Sequence, residues 1–282
     1  MQTYRHIILR IYLRRGRLLP TIMSKRLVRL KPFALAVCVH LAVTIGVLGC
    51  AAYRCPPACA GADLRQANLA GADLQGADFA RADLGGLLEN GADLSGANLT
   101  NANFMGANLR GANLRGANLR GADLRQADLH RAVLKDAQID DRTKLDDKWV
   151  LVWEIVTQGA AGRDLSGVDL SEANLWGANL EGASLVWTNL NWVNLSEANL
   201  RGADLTGAAL NWANMNGANL SSVNLSGANL RWADLRNANL TGATLEDVEA
   251  QGVWLSGAIL DDVSLDRVLL TGAIMPNGSR HR

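Results

Sequence analysis

Four histidines are the residues of this 282-residue chain best suited to act as general bases or metal ligands: His6, His40, His130 and His281. General base catalysis needs a nucleophile beside the base, and a metal site needs several ligands at short spacing. None of the four has such a neighbour in the sequence, and no phosphate loop or nucleophile motif is present. The sequence therefore argues against an enzyme and predicts neither a cofactor nor a metal site.

Asp and Asn side chains recur at one position of a five-residue unit along most of the chain. The run Gly106–Leu119 shows this unit as alanine, then Asp or Asn, then leucine, then two variable residues. Side chains of this kind bond to the nearby backbone in turns and at strand edges. We therefore interpret the recurring Asp and Asn as structural residues and not as catalytic pairs.

The leucine of each unit, called the central leucine below, sets the fold. Its period of five matches neither the ~3.6 residues of a helical turn nor the two-residue alternation of a flat strand. The alanine and the central leucine point to one side, while the Asp or Asn between them, at the outward position, points to the other. The second residue after the central leucine, called the corner residue, is often Gly, which suits a tight turn. The pattern predicts a narrow coil with leucine and alanine inside.

Central residues continue in one frame through residues 64–139 and in a second frame through 165–275. The exceptions are Glu89 and Ala250. Around Glu89 a whole unit is replaced, and we expect a loop that leaves a corner of the coil. These frames predict three segments: repeat block 1 at 60–139, repeat block 2 at 162–275 and a tail at 276–282.

The unit resembles the repeat of the pentapeptide-repeat family, and the resemblance covers most of the chain. It implies an all-β solenoid, a right-handed quadrilateral β-helix with four units in each coil. Trp192, Trp212 and Trp232 support such a coil independently, because they are 20 residues apart and all are corner residues. Side chains that repeat once in every coil should stack as a ladder.

These three tryptophans are the candidate binding residues of the chain. Exposed indoles form an apolar patch of the kind that marks a contact site, here for a protein or a carbohydrate. They can instead stack on one another, or lie under a neighbouring helix, as a structural ladder. From the sequence we favour the structural interpretation, and exposed rings would favour the binding surface.

The two frames are separated by an insert at 140–161, within which we predict a helix over about 146–158 that ends at Gly159. Four apolar residues follow the i, i+3, i+4, i+7 spacing of a helix face: Trp149, Val152, Trp153 and Val156. We interpret this helix as a cap between the blocks, because the open end of a coil exposes leucine and unpaired backbone. A partner-binding helix is the alternative.

Residues 1–59 differ in charge from the rest of the chain. They hold ten Lys or Arg and no acidic residue, whereas the remainder holds 18 basic and 27 acidic residues, so that +10 and −9 give the net +1. A basic leader at 1–32 precedes an apolar segment at 33–53 that is long enough to cross a bilayer as an N-terminal helix. The positive-inside rule then places the repeats outside the cytoplasm, in a bacterial periplasm or at the cell surface.

Two interpretations of the segment 33–53 remain open. It is either a retained transmembrane anchor or the signal peptide of a lipoprotein. The run Val47–Cys50 resembles the lipobox, in which the final cysteine, here Cys50, carries the lipid. Met23 begins a basic stretch of ordinary signal length, and we expect translation to start there in the lipoprotein case.

These features predict a non-catalytic, membrane-attached scaffold or binding protein outside the cytoplasm. The resemblance offers an alternative, a DNA-mimicking protein that binds a type II topoisomerase, which the acidic repeats would suit. The expected location argues against that alternative, and so does a belt of arginines around the middle of the coil: Arg110, Arg115, Arg120 and Arg125. Such a belt is also poorly placed to follow a phosphate backbone, so nucleic acid is not an expected partner.

Overall fold

A computed structural model describes residues 68–69, 74, 79, 83–84 and 91–282 of the chain. The predictions for the basic leader, the segment 33–53, Cys50 and the loop around Glu89 lie outside these residues. Tyr53–Arg282 belong to one compact unit. Within the described ranges, no helix combines the length and the apolar character needed to cross a membrane.

Parallel β-bridges join outward residues of successive coils along both repeat blocks. Asp93 pairs with Asn113, and Asn189 pairs with Ala209, so that one coil takes four units. The four-unit coil expected from the tryptophan spacing is therefore confirmed. Over the part of the chain that is described, each side of the coil is a bridge of single residues, too short to have strand bounds of its own.

The central leucines and the alanines two positions before them fill the interior of the coil. Leu119 and Ala117 are buried, and Ala250, the exception in the second frame, is buried at its central position as well. The outward amides instead form columns between coils, as where Nδ2 of Asn219 donates to Oδ1 of Asn199 at 3.2 Å. The inward assignment of the central residues is confirmed.

The first described coils contain one additional unit. Asn68 pairs with Asp93, and Asp83 pairs with Asn108, so that each of these bridges spans five units in place of four. The chain between the partners of each bridge thus holds one unit more than a regular coil. This agrees with the predicted loop, although the residues 85–90 of the loop itself are outside the described part.

The last coil of block 1 is one residue longer than four units, because Asp123 pairs with Lys144. The added residue lies at a corner that begins at Asp140. It explains why the second frame is one residue out of phase with the first. A hydrogen bond from the side chain of Arg125 holds the pKa of Asp123 well below its usual range, and the Lys144 ammonium contributes to the same shift.

One helix, α1, spans Asp147–Gln158, inside the stretch predicted for it. Gly159 follows it with φ 81° and donates its N–H to the carbonyl of Ile155. Asp146 lies at the N-cap position without a side-chain capping bond. Four residues of α1 are buried: Trp149, Val152, Ile155 and Val156. Trp153, predicted for the same face, is only half-buried, because its ring reaches sideways to block 1.

α1 lies between the two repeat blocks and contacts both. Nε1 of Trp153 donates a hydrogen bond of 2.6 Å to the carbonyl of Ala137 in block 1. Nζ of Lys148 donates one of 2.9 Å to the carboxylate of Asp169 in block 2. The helix thus occupies the place of part of a coil between the two blocks.

The two blocks also touch directly at one corner, past the helix. The backbone N–H of Arg131 donates to the carbonyl of Glu172 at 2.7 Å. The guanidinium of Arg110 pairs with the carboxylate of Glu172. Glu172 is the corner residue one coil before Trp192, so the tryptophan ladder begins where the two blocks meet.

Candidate binding surface

The ladder tryptophans occupy corners with left-handed backbone. The φ angles of Trp192, Trp212 and Trp232 are 61°, 61° and 60°. Many corners of the same coil are Gly, which adopts this conformation without steric cost, whereas a bulky residue there is strained. Three successive tryptophans at such corners therefore need an interaction that offsets the strain.

Stacking between the rings supplies such an interaction. The ring centroids of Trp192 and Trp212 are 5.0 Å apart with planes inclined by 4°, and those of Trp212 and Trp232 are 5.5 Å apart at 13°. The predicted ladder is present. The three residues nevertheless remain 45%, 47% and 50% exposed, so an apolar ridge of stacked rings faces the solvent.

The two ends of the ladder are also occupied. The guanidinium of Arg131 lies 5.9 Å from the ring centroid of Trp192. At the other end, the ring of Trp232 lies against Gly252. A Cβ on Gly252 would be only 2.5 Å from the nearest atom of that ring. The faces of the indoles are thus covered, and the ridge offers mainly ring edges.

Amide side chains flank the ridge. Nδ2 of Asn211 donates to Oδ1 of Asn191 at 2.9 Å on the side that precedes the corner. Nδ2 of Asn214 donates to Oδ1 of Asn194 at 3.3 Å on the side that follows it. A partner on the ridge would therefore meet an apolar centre with a polar rim, which is the usual anatomy of a protein interface.

Three further tryptophans of block 2 lie off the ladder. Trp176 is approached by Lys135, whose Nζ is 5.3 Å from its ring centroid. Trp254 is approached by Arg236, whose guanidinium is 5.0 Å from its ring centroid.

Trp187, at a neighbouring corner, is 72% exposed, and among the described residues no aromatic ring stacks on it. This difference is not among the predictions from the sequence, although Gly167 and Gly207, one coil before and one coil after Trp187, signal it.

His130 has an acidic partner that the sequence analysis did not identify. Its Nδ1 lies 2.6 Å from Oδ1 of Asp128, and its ring meets the ring of Trp149 edge-on at 5.3 Å. The same Oδ1 accepts the backbone N–H of His130, as the outward Asp and Asn do elsewhere in the coil. This pair therefore closes a turn against α1. Over residues 91–282 and the few described before them, no group of three His, Cys, Asp or Glu is arranged to hold a metal.

The arginine belt is largely neutralised by nearby carboxylates. Besides the pair between Arg110 and Glu172, Nε of Arg115 lies 3.7 Å from Asp136, and Nη2 of Arg125 lies 2.6 Å from Asp123. The belt is thus a solvated surface with acids beside it, and it leaves little unpaired charge for a phosphate backbone.

An apolar cavity lies between the last coils of block 2, around Ala250. Only Leu, Val and Ala line this small cavity. Without a polar group it has no means to orient or activate a polar substrate.

This protein is a solenoid. Each coil has four units, a core of leucine and alanine, and variable residues at its corners. The chain belongs to the pentapeptide-repeat family. The sequence profile described as "Pentapeptide repeats" matches it in eight copies, over residues 59–87, 90–126, 107–141, 164–202, 183–221 and 224–262. Proteins of this family fold as right-handed β-helices and are in general structural or binding proteins without enzymatic activity.

Several solved structures are similar to the chain. HetL, a pentapeptide repeat protein involved in heterocyst differentiation regulation in the cyanobacterium Nostoc, is 32% identical over 78% of this chain and 90% of HetL, with a TM-score of 0.36. A protein of the Arabidopsis thaliana thylakoid lumen is 33% identical over 38% of this chain and 70% of its own, with a TM-score of 0.25. QnrB1, a plasmid-mediated fluoroquinolone resistance protein, is 17% identical over 71% of this chain and 87% of QnrB1, with a TM-score of 0.32. No curated protein matches the chain.

Proposed function

We propose that this chain is a non-catalytic scaffold that binds a protein partner along the ridge formed by Trp192, Trp212 and Trp232. The observation that carries the proposal is the half-exposed state of all three rings at strained corners. Backbone strain in a folded protein persists where the surroundings or the function require it, and contiguous exposed apolar surface marks interaction sites.

The geometry of the ridge favours a protein over a carbohydrate. A sugar stacks on the face of an aromatic ring, but the faces of the ladder rings lie against each other, Arg131 and Gly252. The edges of an indole are its electropositive part, and one of them carries the N–H donor. A groove of apolar side chains with carbonyl or carboxylate acceptors at its margin would complement them.

Photo-crosslinking in the producing cell tests this interface. A crosslinking amino acid at Asn211, beside the ridge, should capture one protein, whereas the same residue at Ser221, on another side of the coil, should not. The captured protein, once purified, should bind the full chain in calorimetry. It should bind at least about tenfold more weakly to the variant Trp192→Gly/Trp212→Gly/Trp232→Gly. Equal affinity for that variant, or capture from Ser221 alone, would contradict the proposal.

We further propose that the scaffold is attached to a membrane through the segment 33–53, or through a lipid on Cys50, with its repeats outside the cytoplasm. The support is the sequence: an apolar stretch of bilayer length that follows a strongly basic leader. A reporter that fluoresces only in the cytoplasm, fused after Arg282, should be dark, and a bright fusion would contradict this location. Incorporation of labelled palmitate that is lost in Cys50→Ala would distinguish the lipoprotein from the retained anchor.

A further inference from the structure

The geometry points to a second binding site, for one ring of an uncharged saccharide, formed by Trp187 and the vacant corner at Gly167. Trp187 has left-handed backbone with φ 55° and is 72% exposed, more than any ladder tryptophan. The ladder residues regain energy by stacking on one another. Within the described residues Trp187 has no ring beside it, so stacking on another aromatic side chain there does not explain its presence at a corner.

Gly residues border Trp187 in its column of corners. Gly167 precedes it by one coil, and Gly207 follows it by one coil. Ring atoms of Trp187 lie 2.5 to 2.7 Å from the point where a Cβ on Gly207 would be, so one ring face rests on the Gly207 backbone. A Cβ on Gly167 would meet nothing within 4 Å. The space on the other side of the ring, where a further rung of a ladder would lie, is therefore open.

Polar groups border this open corner. Ser166 directly precedes Gly167, and its Oγ lies 2.7 Å from Oγ of Ser184. Asp169, at the next outward position, accepts hydrogen bonds from Nζ of Lys148 at 2.9 Å and from Nδ2 of Asn189 at 3.0 Å. The vacant corner thus has the hydroxyl of Ser166 before it and the carboxylate of Asp169, with the ammonium group of Lys148, after it. Each of these groups is held by a neighbour.

This combination suits a saccharide. A pyranose has an apolar C–H face about the size of an indole, and its hydroxyls both donate and accept hydrogen bonds around the rim. Asp164 and Asp169 lie on the sides before and after the Gly167 corner, and Lys148 offsets the charge of Asp169 but not that of Asp164, so the remaining negative charge would repel the phosphates of a nucleotide. A neutral sugar avoids this repulsion and can use the carboxylate as an acceptor.

The test uses the full chain and three neutral trisaccharides as probes: cellotriose, triacetylchitotriose and mannotriose. Saturation-transfer NMR should detect at least one of them, with a Kd of about 1 mM, because a single ring face buries little apolar area. Trp187→Gly should abolish the signal. It should fold normally, because Gly already occupies the corners before and after it in the same column.

Filling the vacant corner gives a sharper test. Gly167→Trp should place an indole on the open face of Trp187, as in the ladder, and weaken binding at least about tenfold. Gly227→Trp, in the same column but two coils beyond Trp187, should leave binding unchanged, and so should Trp212→Gly in the ladder. Absence of binding to all three sugars, unchanged binding in Gly167→Trp, or loss of binding in Trp212→Gly would overturn this inference. Because the ladder variant separates the two sites, the outcome is independent of the proposed protein interface.

Discussion

The carboxylate of Asp140 takes the place of a backbone carbonyl opposite Gly121, whose N–H it accepts at Oδ1 over 2.8 Å. At the preceding corner, the N–H of Gly116 bonds to the carbonyl of Lys135, almost one coil ahead. The residue added to the last coil of block 1 displaces the backbone carbonyl that would accept the N–H of Gly121. The side chain of Asp140 accepts this N–H instead. The same Oδ1 also accepts the N–H of Thr143 at 3.1 Å.

Because a carboxylate accepts this backbone N–H, we expect the stability of the protein to depend on pH. Burial raises the pKa of Asp140, but hydrogen bonds from Arg142, Gly121 and Thr143 outweigh it and lower the pKa to about 2. The unfolded-state pKa is about 3.9, so this stabilisation is complete above about pH 4 and is lost as the pH falls through about 2. Urea unfolding of Asp140→Asn, which keeps the acceptor but not the charge, should show a smaller loss of stability between these pH values than the parent.

The neighbouring substitution Asp141→Asn is the control for this experiment, because Asp141 is exposed at the same corner. It should reproduce the pH dependence of the parent. An Asp140→Asn protein with the parent's pH dependence would show that the corner does not depend on an ionised carboxylate.

The interior of the coil should not tolerate charge at a central position. Leu119→Asp would bury a carboxylate among leucines and should reduce the free energy of unfolding by several kcal/mol, about 3 or more. Asn118→Asp, one residue earlier, points outward and should change it by about 0.5 kcal/mol or less. Thermal denaturation followed by circular dichroism measures both, and equal melting temperatures for the two variants would be incompatible with the inward position of Leu119.

The cavity in block 2 can be filled from within. Ala250 occupies a position that is leucine in the neighbouring units, and it lines this apolar cavity. Ala250→Leu should therefore raise the free energy of unfolding by about 1 kcal/mol. Ala208→Leu, at a fully buried alanine position of the regular core, should instead lower it by about 1–3 kcal/mol through overpacking. Chemical denaturation distinguishes them, and destabilisation by both would show that the cavity cannot accept a larger side chain.

The strain at the ladder corners predicts an unusual order of stability for substitutions of Trp212. Trp212→Ala loses two stacking contacts and keeps the left-handed backbone, so it should be destabilised by about 1–3 kcal/mol. Trp212→Gly loses the same contacts but relieves the strain, and it should be about 1 kcal/mol more stable than the alanine variant. Urea denaturation measures this difference. An alanine variant as stable as the glycine variant would mean that the corner imposes no strain.

The fold follows from the local sequence, because every unit repeats the same pattern of inward and outward residues. Alanine and leucine two residues apart point inward, the polar residue between them points outward, and the tryptophan spacing gives the length of the coil. The helix in the insert is likewise predicted by the apolar spacing around Trp149 and by Gly159 at its end. Each of these features depends on residues that are close together in the chain.

The exposure of surface side chains depends instead on contacts between coils. Whether a tryptophan ring is covered depends on the residue one coil away, and Trp187 differs from Trp212 only because its neighbours in the column are Gly. Glu172 forms an ion pair with Arg110 and accepts the N–H of Arg131. Both contacts depend on the position that block 2 takes after α1 and after the extra residue in the last coil of block 1. Such contacts connect residues one or more coils apart, so they follow from the stacking of coils and not from the local pattern.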